Sequence, residues 1–303
     1  MNKAQFVLIL AAFLSYLSSF FLSFLGATGL NGVFYNNLSV LDKKYFQQVS
    51  PEPIAFGIIW PLIYLWNLVG VLYIVVSCCL PVDKSPVKIT PTLVPKTFLI
   101  SYCVTFLSMS LWLFAFDREM LGPAFAILLL SAVSAYVAVG VSCKAVTDNL
   151  KILERKYEAV LWLVRILVQN GLSFLGTWLT VATLLNLTTF IIYKDSFGLE
   201  AAVLRGDISM INGSTLILFI LLAIVIIWFA LENFVFEKYL RYIYTVYPVL
   251  IFALSFLIVK LAALPDGNQN LIIASLDLAV VVIAFTARIT LEVLRNKHRG
   301  VPL

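Results

Sequence analysis

The sequence predicts an all-α, polytopic integral membrane bundle of about eight spanning helices, and three observations predict it. The chain is 62% hydrophobic and 12% charged over 303 residues, with mean hydropathy +1.00. A soluble domain is nearer half apolar and a quarter charged, so most of this surface must face lipid. The apolar residues come in continuous runs of about 20, the length that crosses a bilayer as a helix. Barrel strands would instead show short alternating segments, and no third architecture pairs every backbone N–H and C=O in lipid.

The first run, Phe6–Leu25, resembles a signal-peptide core but is long enough to span, and no small-residue cleavage site follows it. It reads as a retained first helix. A polar stretch, Gly29–Pro53, comes next. Pro51 and Pro53 open the second helix, Ile54–Leu80. A basic, proline-rich loop, Pro81–Lys96, leads to the third, Thr97–Phe116. The tight turn Asp117-Arg118-Glu119 precedes the fourth, Leu121–Cys143. The charged segment Lys144–Glu158 extends away from the membrane, and the long fifth helix, Ala159–Tyr193, follows. After the polar loop Lys194–Gly213 come Ser214–Glu232, Tyr242–Leu261 and Asn270–Leu291. Pro265-Asp266-Gly267 is the turn between the last two.

Eight spans divide the Lys and Arg residues unequally. One face receives Lys43, Lys44, Arg118, Lys194, Arg205 and Lys260. The other receives Lys3, Lys84, Lys88, Lys96, Lys144, Lys151, Arg155, Lys156, Arg165, Lys238, Arg241, Arg288, Arg295, Lys297 and Arg299. The positive-inside rule puts the second face, with both termini, in the cytosol. The glycosylation sequons at Asn37 and Asn212 both fall on the opposite face, which the charge count did not require. In a eukaryote that placement favours the plasma membrane or an endomembrane. The mitochondrial outer membrane and a bacterial inner membrane are the alternatives.

Composition also excludes. The net charge of +5 sits in short loops and reports orientation, not nucleic-acid binding. The one His, His298, lies in the basic tail, so no intramembrane His serves a haem, a zinc ion or a proton relay. No metal site is expected. Cys78, Cys79, Cys103 and Cys143 form no disulfide framework. Cys78, Cys79 and Cys143 lie near basic loops, where palmitoylation is an option beside plain burial. No phosphate loop, Gly-x-Ser-x-Gly or His-Glu-x-x-His is present, so the sequence carries no enzyme signature.

Polar and Trp residues interrupt three helices: Phe56, Trp60, Tyr64 and Asn67 in the second, Trp112 and Phe116 in the third, and Trp178, Thr180, Thr183 and Asn186 in the fifth. All three segments are expected at one depth near the non-cytosolic face. An interfacial aromatic belt explains Trp60 and Trp112. It does not explain the Asn and Thr residues, which belong inside a bundle as interhelical glue or as polar points of an aromatic-lined pocket.

The spacings Phe56/Trp60/Tyr64, Leu111/Trp112/Phe116 and Trp178/Ala182/Thr183/Asn186 resemble the TspO/translocator family, the tryptophan-rich sensory proteins. The likeness covers residues 1–193 as a five-helix core and leaves 194–303 as a three-helix extension. It implies binding of tetrapyrroles, sterols or other lipid-like molecules, with Trp60, Tyr64, Trp112, Trp178 and Asn186 lining the pocket and Gly29–Pro53 covering it. Asn67, Phe116 and Thr183 join them as candidate site residues. The chain departs from the family at Phe174-Leu175, where a Pro-Tyr pair is usual, and at Met109, where an Asn is usual. Ligand identity therefore does not carry over.

Other polar features lie in the last third. Lys260 and Asp277 are the intramembrane charges, and the turn after Lys260 would let them meet. Arg288 and Glu292 are spaced as a local pair. Arg165 and Glu232, near helix ends, are expected to snorkel. The segment Val235-Phe236-Glu237-Lys238-Tyr239-Leu240-Arg241 matches a weak sterol pattern and equally reads as an ordinary turn. Partners expected from these readings are the lipid bilayer and a hydrophobic small molecule. A membrane-protein partner or a homodimer is a further option, and two readings stay open: an accessory subunit of a larger membrane complex docking through the last three helices, and an ion-coupled transporter using Lys260 and Asp277.

Overall fold

The structure, a computed structural model, describes residues 3–29, 32–265 and 268–299. Asn31, Asp266, Gly267 and residues 300–303 lie outside the described residues. Among those described, the chain is helical and carries no strand, and Tyr193 and Leu204 form an isolated bridge.

Among the described residues, seven helices are long and apolar enough to cross a membrane. They are α1 (Lys3–Thr28), α3 (Pro53–Val76), α4 (Lys96–Asp117), α5 (Leu121–Asp148), α7 (Glu158–Ile192), α8 (Met210–Val235) and α11 (Asn268–Arg299). An eighth apolar helix, α10 (Val246–Ala262), has 17 residues. Three short helices, α2 (Leu38–Lys44), α6 (Leu150–Lys156) and α9 (Glu237–Leu240), lie in the connections. The starts follow local chemistry. Asn37 caps α2 by accepting from the Ser39 N–H at 2.8 Å, Pro53 occupies the first turn of α3, and Ser209 caps α8.

The first five long helices close into a ring in the order α1, α3, α7, α5, α4, with α4 back against α1. Of the remaining three, α11 packs on both α8 and α10, and α8 and α10 dock on α7. That arrangement makes α7 a shared wall. Its apolar window is 78% buried, against 28% for α1, α8 and α11. Those outer helices turn residues such as Phe6, Phe24, Phe219 and Ile283 outward, the surface a lipid solvent accepts. α3 and α7 approach closely at Gly70, where an added Cβ would lie 2.6 Å from the Leu167 carbonyl oxygen.

The connections gather at two ends. At one, Tyr35 and Asn36 donate backbone N–H groups to the Asp117 carboxylate, and Lys44 pairs with Glu119 at 2.6 Å. Gln48 N–H donates to Ser214 Oγ, and Lys260 donates to the Gln47 carbonyl at 3.3 Å. Asn37 and Asn212 both sit at this end, Asn212 exposed in the first turn of α8. The Asn37 side-chain amide donates to the Ala27 carbonyl, a bond that a glycan there would have to replace. At the basic end, Thr147 contacts Lys238, and Asn170 both donates to the Tyr242 carbonyl and accepts from the Tyr244 N–H. α10 runs from this basic end to the other, since Thr245 bonds Asn170 and Lys260 bonds Gln47.

Glu119 shows how firmly the turn after α4 is set. Its φ of 56° is the left-handed region, which a non-glycine residue occupies at a cost of roughly 1–3 kcal/mol. The carboxylate accepts from Lys44, Tyr45, Ser196 and the Gly198 N–H. Burial pushes its pKa up, but those donors outweigh it and hold the carboxyl below its ordinary value.

Three expectations about charges are corrected. Lys260 and Asp277 do not meet. Asp277 lies about two turns further into α11 than the point facing Lys260, while Lys260 turns to Gln47 and the Phe46 ring. Arg165 does not snorkel: it is 5% exposed, with its guanidinium 3.5 Å from the Tyr242 ring centre. Glu232 does not snorkel either. It is fully buried against Arg288 and the Tyr247 hydroxyl. Arg288 also pairs with Glu292, at 3.8 Å, as the spacing predicts.

Candidate functional site

Inside the ring, α3 and α7 bring the first and third motifs together. Trp60 stacks on Tyr64 with centroids 5.9 Å apart and meets Trp178 edge-on at 6.3 Å. Phe56 packs on the other side of Trp178 at 5.7 Å. These geometries are the offset and T-shaped arrangements that aromatic quadrupoles favour. α1 closes the cluster. Tyr16 donates to the Tyr64 carbonyl at 2.8 Å, and the Tyr64 hydroxyl bonds Ser19 and Ser23. Trp178 is 0% exposed, whereas Trp60 is half-buried.

The second motif joins the far end of the third. Trp112 Nε1 donates to Asn186 Oδ1 at 2.9 Å, and Phe116 stacks on Trp112 at 5.5 Å. Asn186 in turn donates to the Ala182 carbonyl one turn back. Asn186 lies eight residues beyond Trp178, about 12 Å along α7. The expected single depth thus resolves into two tiers: Trp60, Tyr64 and Trp178 deeper, and Trp112, Phe116 and Asn186 nearer the mouth. Asn67 belongs to neither. It donates to the Gly171 carbonyl at 3.1 Å and to Ile63, tying α3 to α7 below the cluster. Thr180 bonds the Tyr136 hydroxyl at 3.0 Å.

Two donors in this region lack acceptors among the described residues: Trp178 Nε1 and Thr183 Oγ1, both buried. A buried polar atom without a partner is rare enough in folded proteins to need a reason. The short stretch 45–52 lies across the end of α7. Tyr193 donates to the Phe46 carbonyl at 2.6 Å, and Gln47 to the Leu185 carbonyl at 3.1 Å. Leu41 and Tyr45 pack with Leu121, Ile192 and Tyr193 and meet Phe116, so the polar loop lies over the ends of α4, α5 and α7.

Two cavities stand out elsewhere, and neither is lined by Trp60, Trp112 or Trp178. One, of about 20 Å³, is an apolar gap between α7, α8 and α10 beneath Val49 and Pro51. The other, of about 100 Å³, lies at the basic end between α5, α7 and α9.

In α11, Asp277 is 1% exposed, and neither carboxyl oxygen has a hydrogen-bond partner among the described residues. Sequence reasoning found Asp277 but missed the Glu232–Arg288 pair, because the partners are far apart in the chain. It also missed the π-helical turns at Val164–Gln169 and Leu231–Val235, for which the apolar periodicity gives no signal. Among the described residues no cluster of three or more His, Cys, Asp or Glu could hold a metal. Of the cysteines, Cys79 is exposed at the end of α3, and Cys143 is buried, out of reach of an acyl chain in this form.

By length, composition and packing the protein is an all-helical bundle whose long apolar helices are compatible with a membrane. No family model, curated protein or solved structure matches the chain. The resemblance to the tryptophan-rich sensory proteins is carried by the motif residues alone.

Proposed function

We propose that this is an eight-span membrane protein, with both termini in the cytosol, that binds or carries an amphipathic small molecule within the five-helix ring. The observation that carries the reading is a buried donor without an acceptor, Trp178 Nε1, in an aromatic cluster, with a second such donor, Thr183 Oγ1, five residues further along α7. A flat, mostly apolar molecule of the tetrapyrrole or sterol kind would stack on Trp60 and accept from these groups. Half-buried Trp60 is the side chain that would move to admit it. The eighth span is α10. Its 17 residues reach about 26 Å as a helix, and its ends join opposite loop groups. Purified full-length protein titrated with protoporphyrin IX or cholesterol, read by quenching of Trp fluorescence, should bind saturably. Trp178→Phe keeps the ring system apolar and removes the donor, and should weaken binding about fivefold, as should Thr183→Val. Unchanged affinity in both variants, with melting unchanged, would sink the pocket.

One observation favours a second reading, ion-coupled transport. Asp277 is a buried carboxyl without a partner in a membrane-length helix, the kind of group that takes part in ion pathways. On this reading, flux driven by a pH gradient in proteoliposomes disappears in Asp277→Asn. Flux equal to wild type in that variant removes Asp277 from any mechanism.

A further inference from the structure

The cavity at the basic end is built differently from a packing gap. Its lining includes Arg165, Gln169, Lys238, Tyr239, Arg241 and Tyr242. Three of these are cations, and no carboxylate lines it. Arg241 is neutralised by Glu237, with Nη2 2.8 Å from Oε1. Arg165 and Lys238 are not: among the described residues neither has a carboxylate within 4.0 Å. Glu154 acts on Arg165 only at longer range.

Arg165 is the unusual member. A buried cation is costly unless paired, and this one is held by the Trp162 and Tyr242 side chains, with Tyr242 also hydrogen-bonded to it and no carboxylate within 4.0 Å among the described residues. Its guanidinium lies 3.5 Å from the Tyr242 centroid and 4.9 Å from that of Trp162. Cation–π contacts use the flat faces of a guanidinium and leave its in-plane N–H donors for an anion. Lys238, exposed on α9, sits 4.6 Å over the Tyr239 ring at the same cavity. The backbone is irregular here too: Arg165 and Gln169 belong to the π-helical turn Val164–Gln169, a feature that recurs at functional sites. At about 100 Å³ the cavity exceeds the roughly 10–15 Å³ that one water needs, and has room for a tetrahedral anion.

The geometry points to a phosphate-binding site between α5, α7 and α9, with Arg165 and Lys238 as its cationic ligands and Gln169 as a neutral polar group of its lining. The chemistry shared by its occupants is a phosphate group, carried by an anionic lipid headgroup or free in solution. The Val235–Arg241 segment then has a polar use in place of its weak sterol pattern: it delivers Lys238 and Tyr239 to the cavity.

The test uses the full chain in detergent with two probes. In native mass spectrometry, dioleoyl phosphatidic acid should be retained where dioleoyl phosphatidylcholine is not. Retention should fall about tenfold in Arg165→Gln and about fivefold in Lys238→Gln. Equilibrium dialysis with radiolabelled orthophosphate is the second arm. Binding in that arm alone, with the same dependence on Arg165 and Lys238, supports the site and identifies a free anion as its occupant. Wild-type binding by both variants in both arms, or no binding of either probe by the wild type, overturns it. If Arg165→Gln fails to fold, the exposed Lys238→Gln decides alone.

Discussion

Arg288→Ala destabilises the bundle by about 3–5 kcal/mol, the cost of removing one partner from a buried ion pair. The guanidinium is 2% exposed and lies 3.3 Å from Glu232, whose carboxylate is fully buried and also accepts from Tyr247 at 2.7 Å. The same side chain donates to the Leu240 and Arg241 carbonyls, so its loss leaves a carboxylate and two backbone oxygens short of a partner. α8, α9 and α11 all meet at this one residue. Unfolding in a denaturing-detergent series, followed by circular dichroism, measures the loss. The double variant Glu232→Gln with Arg288→Met should recover much of it, because a neutral pair leaves no stranded charge. A loss below about 1 kcal/mol in Arg288→Ala would mean that the pair contributes little to holding the last three helices together.

Trp178→Ala is the second large effect, expected at about 3 kcal/mol, the low end for a buried Trp. The low end applies because lipid is as apolar as the core, so transfer from water contributes little to helix association in a membrane. What is lost is dispersion contact with Phe56 and Trp60 and the filled volume between α3 and α7. Trp60→Ala, at a half-buried position, should cost clearly less in the same denaturation series. Equal losses in the two variants would show that Trp178 is not the keystone its burial implies.

The long apolar helices were legible in the sequence because lipid imposes a simple rule on long apolar runs. The predicted fifth helix, Ala159–Tyr193, differs from α7 by one residue at each end. The loops gather in two groups, at opposite ends of the bundle. Site geometry was legible only within a helix. The Phe56/Trp60/Tyr64 spacing announces one face of α3, and the contact of that face with Trp178 follows. The two tiers were not legible, because relative depth depends on tilt and on where each helix begins. Glu232 and Arg288 read as separate snorkelling or local residues, since nothing in a sequence ties positions so far apart. Lys260 misled for the opposite reason: its nearness to Asp277 along the chain suggested a pair, but the helices diverge in register by two turns.

The shared wall has a consequence for how the chain is made. α7 is synthesised before α8, α10 and α11, yet its Asn170 is satisfied by Tyr242 and Tyr244, and the Gln47 carbonyl by Lys260. When the ribosome has finished the fifth long helix, the ring can close, but one flank still lacks the partners of Asn170 and Gln47. A nascent chain stalled between Ile192 and Val246 therefore resembles a complete five-helix protein from one side and an orphan from the other.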